Sequence, residues 1–184
     1  MTKKYVITDT CSIRKLCHLG DALYSKELAE DYELAITETI KKELLKLGQH
    51  HLLDKFPILS DDDSWNSTLD TYIDDMDKSI PYDKLPKKND KTILSTAIGL
   101  GYSLVTNDAT LKHLAEIAIE DIYEEEEDSI IEVFKAEEMV IHLFNNKRIT
   151  EEMMKVFVDK CNKEGPYIAT EYNSFFSKFE EKIK

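Results

Sequence analysis

The sequence predicts an α/β protein with a central sheet of five parallel strands covered by helices. Two observations carry this prediction. Short apolar runs alternate along the chain with longer segments whose apolar residues recur at helical spacing. Such alternation is typical of parallel strands joined by helical crossovers. Hydrophobic residues make up 42% of the 184 residues, which is enough for a buried core.

The five short apolar runs are the predicted strands. The third is expected at an edge of the sheet, because Pro57 has no backbone N–H to donate. In chain order the predicted strands are Lys4 to Asp9, Glu33 to Thr37, Phe56 to Ser60, Tyr102 to Thr106 and Ser129 to Phe134.

Segments with helical spacing lie between and after these strands. The clearest is ETIKKELLKLGQHHLL, in which Ile40, Leu44 and Leu47 share one face. Acids are expected to open the helix DDDSWNSTLDTYIDDMDKSI, and a glycine is expected to end KTILSTAIGLG. The other predicted helices are SIRKLCHLG, ALYSKELAEDY, ATLKHLAEIAIEDI, AEEMVIHLFNNK, TEEMMKVFVDKC and YIATEYNSFFSKFEEKI. Because only helices follow the last strand, we expect a sheet domain at residues 1–147 and a C-terminal helical extension at residues 148–184 packed on it.

Several classes of protein are disfavoured by composition. No apolar run approaches the ~18 residues of a membrane span, and the N-terminus has no signal-peptide pattern, so we expect a cytoplasmic protein. The three cysteines form no CxxC pair and are expected to be free thiols. A formal net charge of −13 argues against broad electrostatic attraction to nucleic acid. The acids either form a solvated face or bind cations.

Four acids are expected at one end of the sheet. Asp9 ends the first apolar run directly, and Asp108 follows the fourth strand after Asn107. Glu43 lies in the helix after the second strand, and Asp90 opens the helix before the fourth. Sites in open α/β sheets form beyond the carboxyl ends of the strands. Each acid alone is explained as a helix cap, a turn acceptor or a surface acid. Together they would repel one another, and hard oxygen ligands suit Mg²⁺ or Mn²⁺.

Three pieces of the chain resemble the PIN-domain ribonuclease family, including its VapC-like toxins. They are VITDTCSIRKL, LAITETIKKELLKL and the contiguous block NDKTILSTAIGLGYSLVTNDATLKHLAE. The block is the most specific, because an acid opens its helix, a glycine ends it, and Thr-Asn-Asp follows the next strand. The resemblance covers roughly residues 4 to 147 and implies a PIN-like three-layer sandwich.

The resemblance also implies a metal-dependent endoribonuclease site. By motif match, the catalytic and metal-binding acids fall on Asp9, Glu43, Asp90 and Asp108, with Glu38 a weaker candidate for the second position. Supporting positions fall on Thr10, Thr106 and Asn107. The expected cofactor is Mg²⁺ or Mn²⁺, and the expected substrate is RNA.

Basic residues follow or surround these acids. Expected RNA-phosphate contacts are Arg14, Lys15, Lys87, Lys88 and Lys91, with Lys112 after Asp108. Ordinary surface lysines, placed for solubility, explain the same residues equally well.

Other functions stay open. The protein could be the toxin of a toxin–antitoxin pair, with an antitoxin, another protein or a second copy as partner. It could instead be a catalytically weak PIN-like interaction module. Its helical tail would then bind a protein through an aromatic stripe, Tyr167, Tyr172, Phe175, Phe176 and Phe179. A phosphatase ranks last, because Cys11 interrupts a DxD motif at Asp9 and no Gly-rich phosphate loop is present.

Overall fold

The computed structural model describes residues 4–24, 32–76, 80–81, 84–123 and 131–163. Its strands are β1 (Lys4–Thr8), β2 (Tyr32–Thr37), β3 (Ile58–Leu59), β4 (Ser103–Val105) and β5 (Val133–Phe134). Its helices are α1 (Thr10–Leu16), α2 (Glu38–Lys46), α3 (Asn66–Met76), α4 (Lys88–Leu100), α5 (Ala109–Ile122), α6 (Ala136–Asn145) and α7 (Glu151–Lys163). Short 3-10 helical segments occur at Cys17–Tyr24 and His50–Leu52.

The five strands form one parallel sheet in the order β3-β2-β1-β4-β5, which confirms the predicted fold class. β1 lies at the centre, where Ile7 pairs with Ala35 on one side and Leu104 on the other. All three side chains are fully buried. A strand covered by helices on both faces needs apolar residues at successive positions, which is why these strands appear as continuous apolar runs.

The order of the strands creates a crevice at one end of the sheet. From β1 the chain moves outward to β2 and β3, then crosses back to β4 and outward again to β5. The direction therefore reverses between β1 and β4. The crevice beyond the carboxyl ends of the strands at such a switch point is the usual ligand site of open α/β sheets.

Helices cover the sheet in two groups. α3, α4 and α5 contact one another, whereas α1 contacts α6, and α6 contacts α7. Right-handed crossovers in opposite directions from the sheet centre place helices on opposite faces, which gives the three layers. α7 also packs against Cys17–Tyr24, and its Met154, Phe157 and Cys161 are buried in the common core. The described part of the predicted extension therefore packs on the sheet domain.

Several predicted boundaries change. The helix expected from the first acid of DDDSW begins instead at Asn66. Asp61 and Asp63 stay in the loop before it, because they accept hydrogen bonds from Thr39 and Thr92 of other helices. The helix SIRKLCHLG gives way after α1 to a 3-10 segment in which Gly20 has a φ of +63°. The predicted glycine stop is confirmed, since Gly101 ends α4 at a φ of +66°.

Some predictions fall outside the described residues. They concern residues 25–31 of ALYSKELAEDY, residues 129–130 of the fifth strand, and the segment YIATEYNSFFSKFEEKI with its aromatic stripe. Among the residues that are described, no helix is both long and apolar enough to cross a membrane.

Candidate carboxylate site

Asp9 is built into the junction between β1 and α1. Its backbone N–H donates to the carbonyl of Val105 at 3.1 Å, so β4 fixes its position. Its side chain caps α1 by accepting from the N–H of Ser12 at 2.6 Å, and its other oxygen accepts from the hydroxyl of Thr106. The residue is only 7% exposed. A carboxylate fixed in this way keeps one defined orientation at the crevice.

Asp108 lies at the equivalent junction between β4 and α5, but it is exposed. Its Oδ1 caps α5 by accepting from the N–H groups of Thr110 and Leu111 at 2.8 and 2.9 Å. Its own N–H donates to Thr106 Oγ1 at 3.1 Å. The fully buried Thr106 hydroxyl thus binds both Asp9 and the backbone of Asp108.

Glu43 reaches the crevice from α2. The hydroxyl of Thr10 donates to its Oε2, and the amide of Asn89 donates to its Oε1 at 2.6 Å. These contacts join α2 to the first turns of α1 and α4. Glu38, the weaker candidate, forms an ion pair with Lys41 at 3.2 Å. Of the two glutamates on α2, Glu43 is the one held by the other segments of the site.

Asp90 lies in the first turn of α4, where its Oδ2 accepts from the N–H of Lys87 at 2.8 Å. Burial raises the pKa of Asp90, and the negative charges of Asp108, Glu43 and Asp9 raise it further, whereas the hydrogen bond from Lys87 lowers it. The net pKa lies above the ordinary value. The charges of the other three acids therefore reach Asp90, although four separate segments supply the four acids.

Carboxylate oxygens are the ligands that a hard divalent cation prefers, but within the described residues these four are not close enough together to form a metal cluster. Within the described residues, none of the four takes part in an ion pair, and Asp90 Oδ1 and Asp108 Oδ2 accept no hydrogen bond. Free oxygens and uncompensated charge fit Mg²⁺ or Mn²⁺. No set of three His, Cys, Asp or Glu side chains in the described ranges is already close enough to hold a metal ion.

A fifth acid, Glu137 at the start of α6, holds the turn before Asp108. Asn107 donates to Glu137 Oε2 at 2.7 Å, while its own Oδ1 accepts from the hydroxyl of Ser12 and the N–H of Ala136. Lys15 donates to Glu137 Oε1 at 3.1 Å. Asn107 therefore ties the end of β4 to α1 and α6.

The charge of Glu137 is stabilised despite its burial. Burial by itself raises the pKa of Glu137, but the hydrogen bond from Asn107, the bond from its own backbone N–H and the charge of Lys15 together bring that pKa below its ordinary value. The sequence did not single out Glu137 or Asn89, because each lies far along the chain from the residue it contacts. Asn89 begins the PIN-like block directly before Asp90, which was the available signal for it. An acid in a helix's first turn right after a strand was the available signal for Glu137.

The predicted phosphate contacts divide into paired and unpaired groups. Lys15 pairs with Glu137, Lys91 with Asp70, and Lys112 with Glu138. Among the described residues, Lys87 and Lys88 form no ion pair. Arg14 is exposed, and its charge acts on the thiol of Cys11, two residues after Asp9.

Two open grooves flank the first turn of α4. The first, of about 580 Å³, is lined by Lys84, Lys87, Asp90 and Asp108 among others. The second, of about 330 Å³, lies between α2 and α4 and includes Glu43 and Asn89. Asp90 and Asp108 therefore line the first groove and Glu43 lines the second, whereas the buried Asp9 lines neither. Neither a scan against protein-family models nor a search of curated proteins gives a match to this chain.

Proposed function

We propose that the protein is a metal-dependent endoribonuclease that hydrolyses RNA phosphodiester bonds at the crevice beyond β1 and β4. The observation that carries the proposal is the set of contacts that joins the acids at one end of the sheet. The Thr106 hydroxyl binds both Asp9 and the backbone of Asp108. Glu43 accepts from Thr10 and from Asn89, the neighbours of Asp9 and Asp90 in the chain. Four carboxylates without an ion pair among the described residues are costly unless a ligand compensates them. A divalent cation on a phosphate backbone is such a ligand, and the PIN-like sequence motifs favour it.

In this proposal the side chains of the site have separate tasks. Asp90 and Asp108 offer oxygens without hydrogen-bond partners in the described structure, so they can take up metal without losing a bond. Thr106 and Thr10 hold Asp9 and Glu43 in place. When bound, Mg²⁺ or Mn²⁺ supplies polarisation of water and of the phosphate oxygens.

The direct test is cleavage of mixed RNA with Mg²⁺, with Mn²⁺ and with chelator. We expect cleavage with either metal and none with chelator. Glu38→Gln is a matched control, since it removes an acid from the same helix as Glu43 but outside the carboxylate site. Glu43→Gln should abolish cleavage while Glu38→Gln retains it. Metal-independent cleavage, or equal activity in both variants, would refute the proposed site.

The toxin role and the alternative role as an interaction module can each be tested separately. If the enzyme is a toxin, its gene should neighbour one for a small DNA-binding antitoxin, and co-expression of that neighbour should suppress cleavage. The alternative, a catalytically weak interaction module, predicts no cleavage with any metal. It also predicts that removing residues 164–184 abolishes partner binding.

A further inference from the structure

The second groove has one wall formed by a single face of α2. Thr39, Lys42, Glu43 and Lys46 follow one another at intervals of three, one and three residues, which places them on one helical face. Ile40 and Leu44 lie on another face and are fully buried in the core. α2 therefore presents two lysines beside the acid that it contributes to the site.

The opposite wall adds a third lysine. Lys88 lies in the first turn of α4 next to Asn89, whose amide binds Glu43 at 2.6 Å. All three lysines are exposed, and within the described residues none of them forms an ion pair. This sets them apart from Lys15, Lys91 and Lys112, which are paired.

The two aspartates of this groove bind neutral side chains rather than the lysines. Both oxygens of Asp61 accept from Thr39, through its N–H at 3.0 Å and its hydroxyl at 2.9 Å. Asp63 accepts from the hydroxyl of Thr92 at 2.8 Å and the amide of Asn66 at 2.7 Å. Both aspartates keep their negative charges, but within the described residues neither forms an ion pair with a lysine, so the three ammonium groups have no direct partner to give up.

We propose that the groove between α2 and α4 is the path by which an RNA strand leaves the carboxylate site, with Lys42, Lys46 and Lys88 contacting its phosphates. This inference rests on the proposed nuclease function and names its binding surface. Unpaired lysines bind phosphate without first breaking an ion pair, whereas Lys15 and Lys91 would have to leave Glu137 and Asp70. A row of cations beside a metal-binding acid would let a strongly acidic protein hold a polyanion locally.

The first test measures binding of fluorescein-labelled oligouridylate in chelator, where no strand is cut, across a range of KCl concentrations. Each phosphate contact contributes about −0.7 to the slope of log affinity against log salt for single strands. The triple variant with Lys42→Ala, Lys46→Ala and Lys88→Ala should therefore lower the slope by about two units. A matched control replaces Lys147, Lys160 and Lys163 by alanine, which removes equal charge after the C-terminal end of α6 and in the last turn of α7. Within the described residues these lysines also form no ion pair. The slope of the control variant should stay nearly unchanged.

The second test measures cleavage of the same oligomer with Mn²⁺. The triple variant should show a raised KM and an unchanged kcat, because the lysines bind the strand away from the reacting phosphate. Suppose that the wild type cleaves RNA, but that the triple variant keeps the wild-type salt slope and KM, or that the control variant changes them equally. The groove is then not the path of the strand, although the nuclease function stands. If the wild type neither binds nor cleaves RNA, both proposals fall. Equal displacement of the strand by polyglutamate would also overturn the proposal, since the groove would then be a general polyanion surface.

Discussion

The junctions after β1 and β4 are built from the same parts but hold their acids differently. In each, an aspartate follows a central strand and caps the next helix. Asp9 is buried with both oxygens hydrogen-bonded, whereas Asp108 is exposed with only Oδ1 bonded among the described residues. The first junction therefore serves as a rigid reference for the site, and the second offers an oxygen that is free to bind a ligand. Two acids in equivalent positions therefore differ in burial and in the number of oxygens that a ligand can reach.

The largest expected effect is on stability at the first junction. Asp9→Ala removes the cap of α1, worth about 1 kcal/mol, and leaves the buried Thr106 hydroxyl without its acceptor, worth a further ~2 kcal/mol. Urea denaturation should show a loss of about 3 kcal/mol. Asp108→Ala should lose only the cap, about 1 kcal/mol. Equal losses in the two variants would remove the distinction between the junctions.

The next effect separates capping from chemistry at the second junction. Asn caps a helix about as well as Asp, so Asp108→Asn without metal should keep its unfolding free energy within about 0.5 kcal/mol of wild type. Loss of one charge beside a divalent cation should lower cleavage on the order of 100-fold. Melting in chelator measures the effect on capping, and cleavage in Mn²⁺ measures the effect on activity. Full cleavage by this variant would show that Asp108 only starts α5.

A smaller effect should appear at the acid that supports the second junction. The pKa of Glu137 is lowered by folding from its ordinary 4.5, so its contribution to stability is present above that pH and is lost as the pH falls through the folded value. Glu137→Gln removes the charge that pairs with Lys15 and should cost about 2 kcal/mol at neutral pH. The difference from wild type should shrink below pH 4.5. A cost that does not vary with pH would mean that the charge of Glu137 is unimportant.

The smallest effect, at Asp90, should be a gain in the free energy of unfolding rather than a loss. Folding raises the pKa of Asp90 above 3.8, so its favourable contribution is complete below pH 3.8 and is lost as the pH rises through the folded value. In chelator at neutral pH, Asp90→Asn should therefore raise the unfolding free energy by less than about 1 kcal/mol, because Asn still accepts from the N–H of Lys87. Urea titrations at neutral and acid pH measure this gain. A destabilised variant at neutral pH would show that the four acids do not repel one another.

Local patterns were enough to predict the sheet and two of its acids. The parallel strands follow from continuous apolar runs, and the positions of Asp9 and Asp108 follow from their places at the ends of buried strands. Capping chemistry depends on residues within one helical turn, so it too can be inferred locally. The same reasoning failed at Asp61 and Asp63, where distant threonines compete successfully for the carboxylates.

By itself, the sequence determined the fold class, the glycine end of α4 and the placing of acids at strand ends, because these depend on periodicity and short-range sterics. Only the tertiary structure decided which charges are compensated. Lys15 meets Glu137 across 122 positions, and Glu43 meets Asn89 across 46. It also left Lys42, Lys46 and Lys88 unpaired beside the acids, within the described residues. Charge pairing depends on distances of a few ångströms, and the order β3-β2-β1-β4-β5 sets those distances between segments that are remote along the chain.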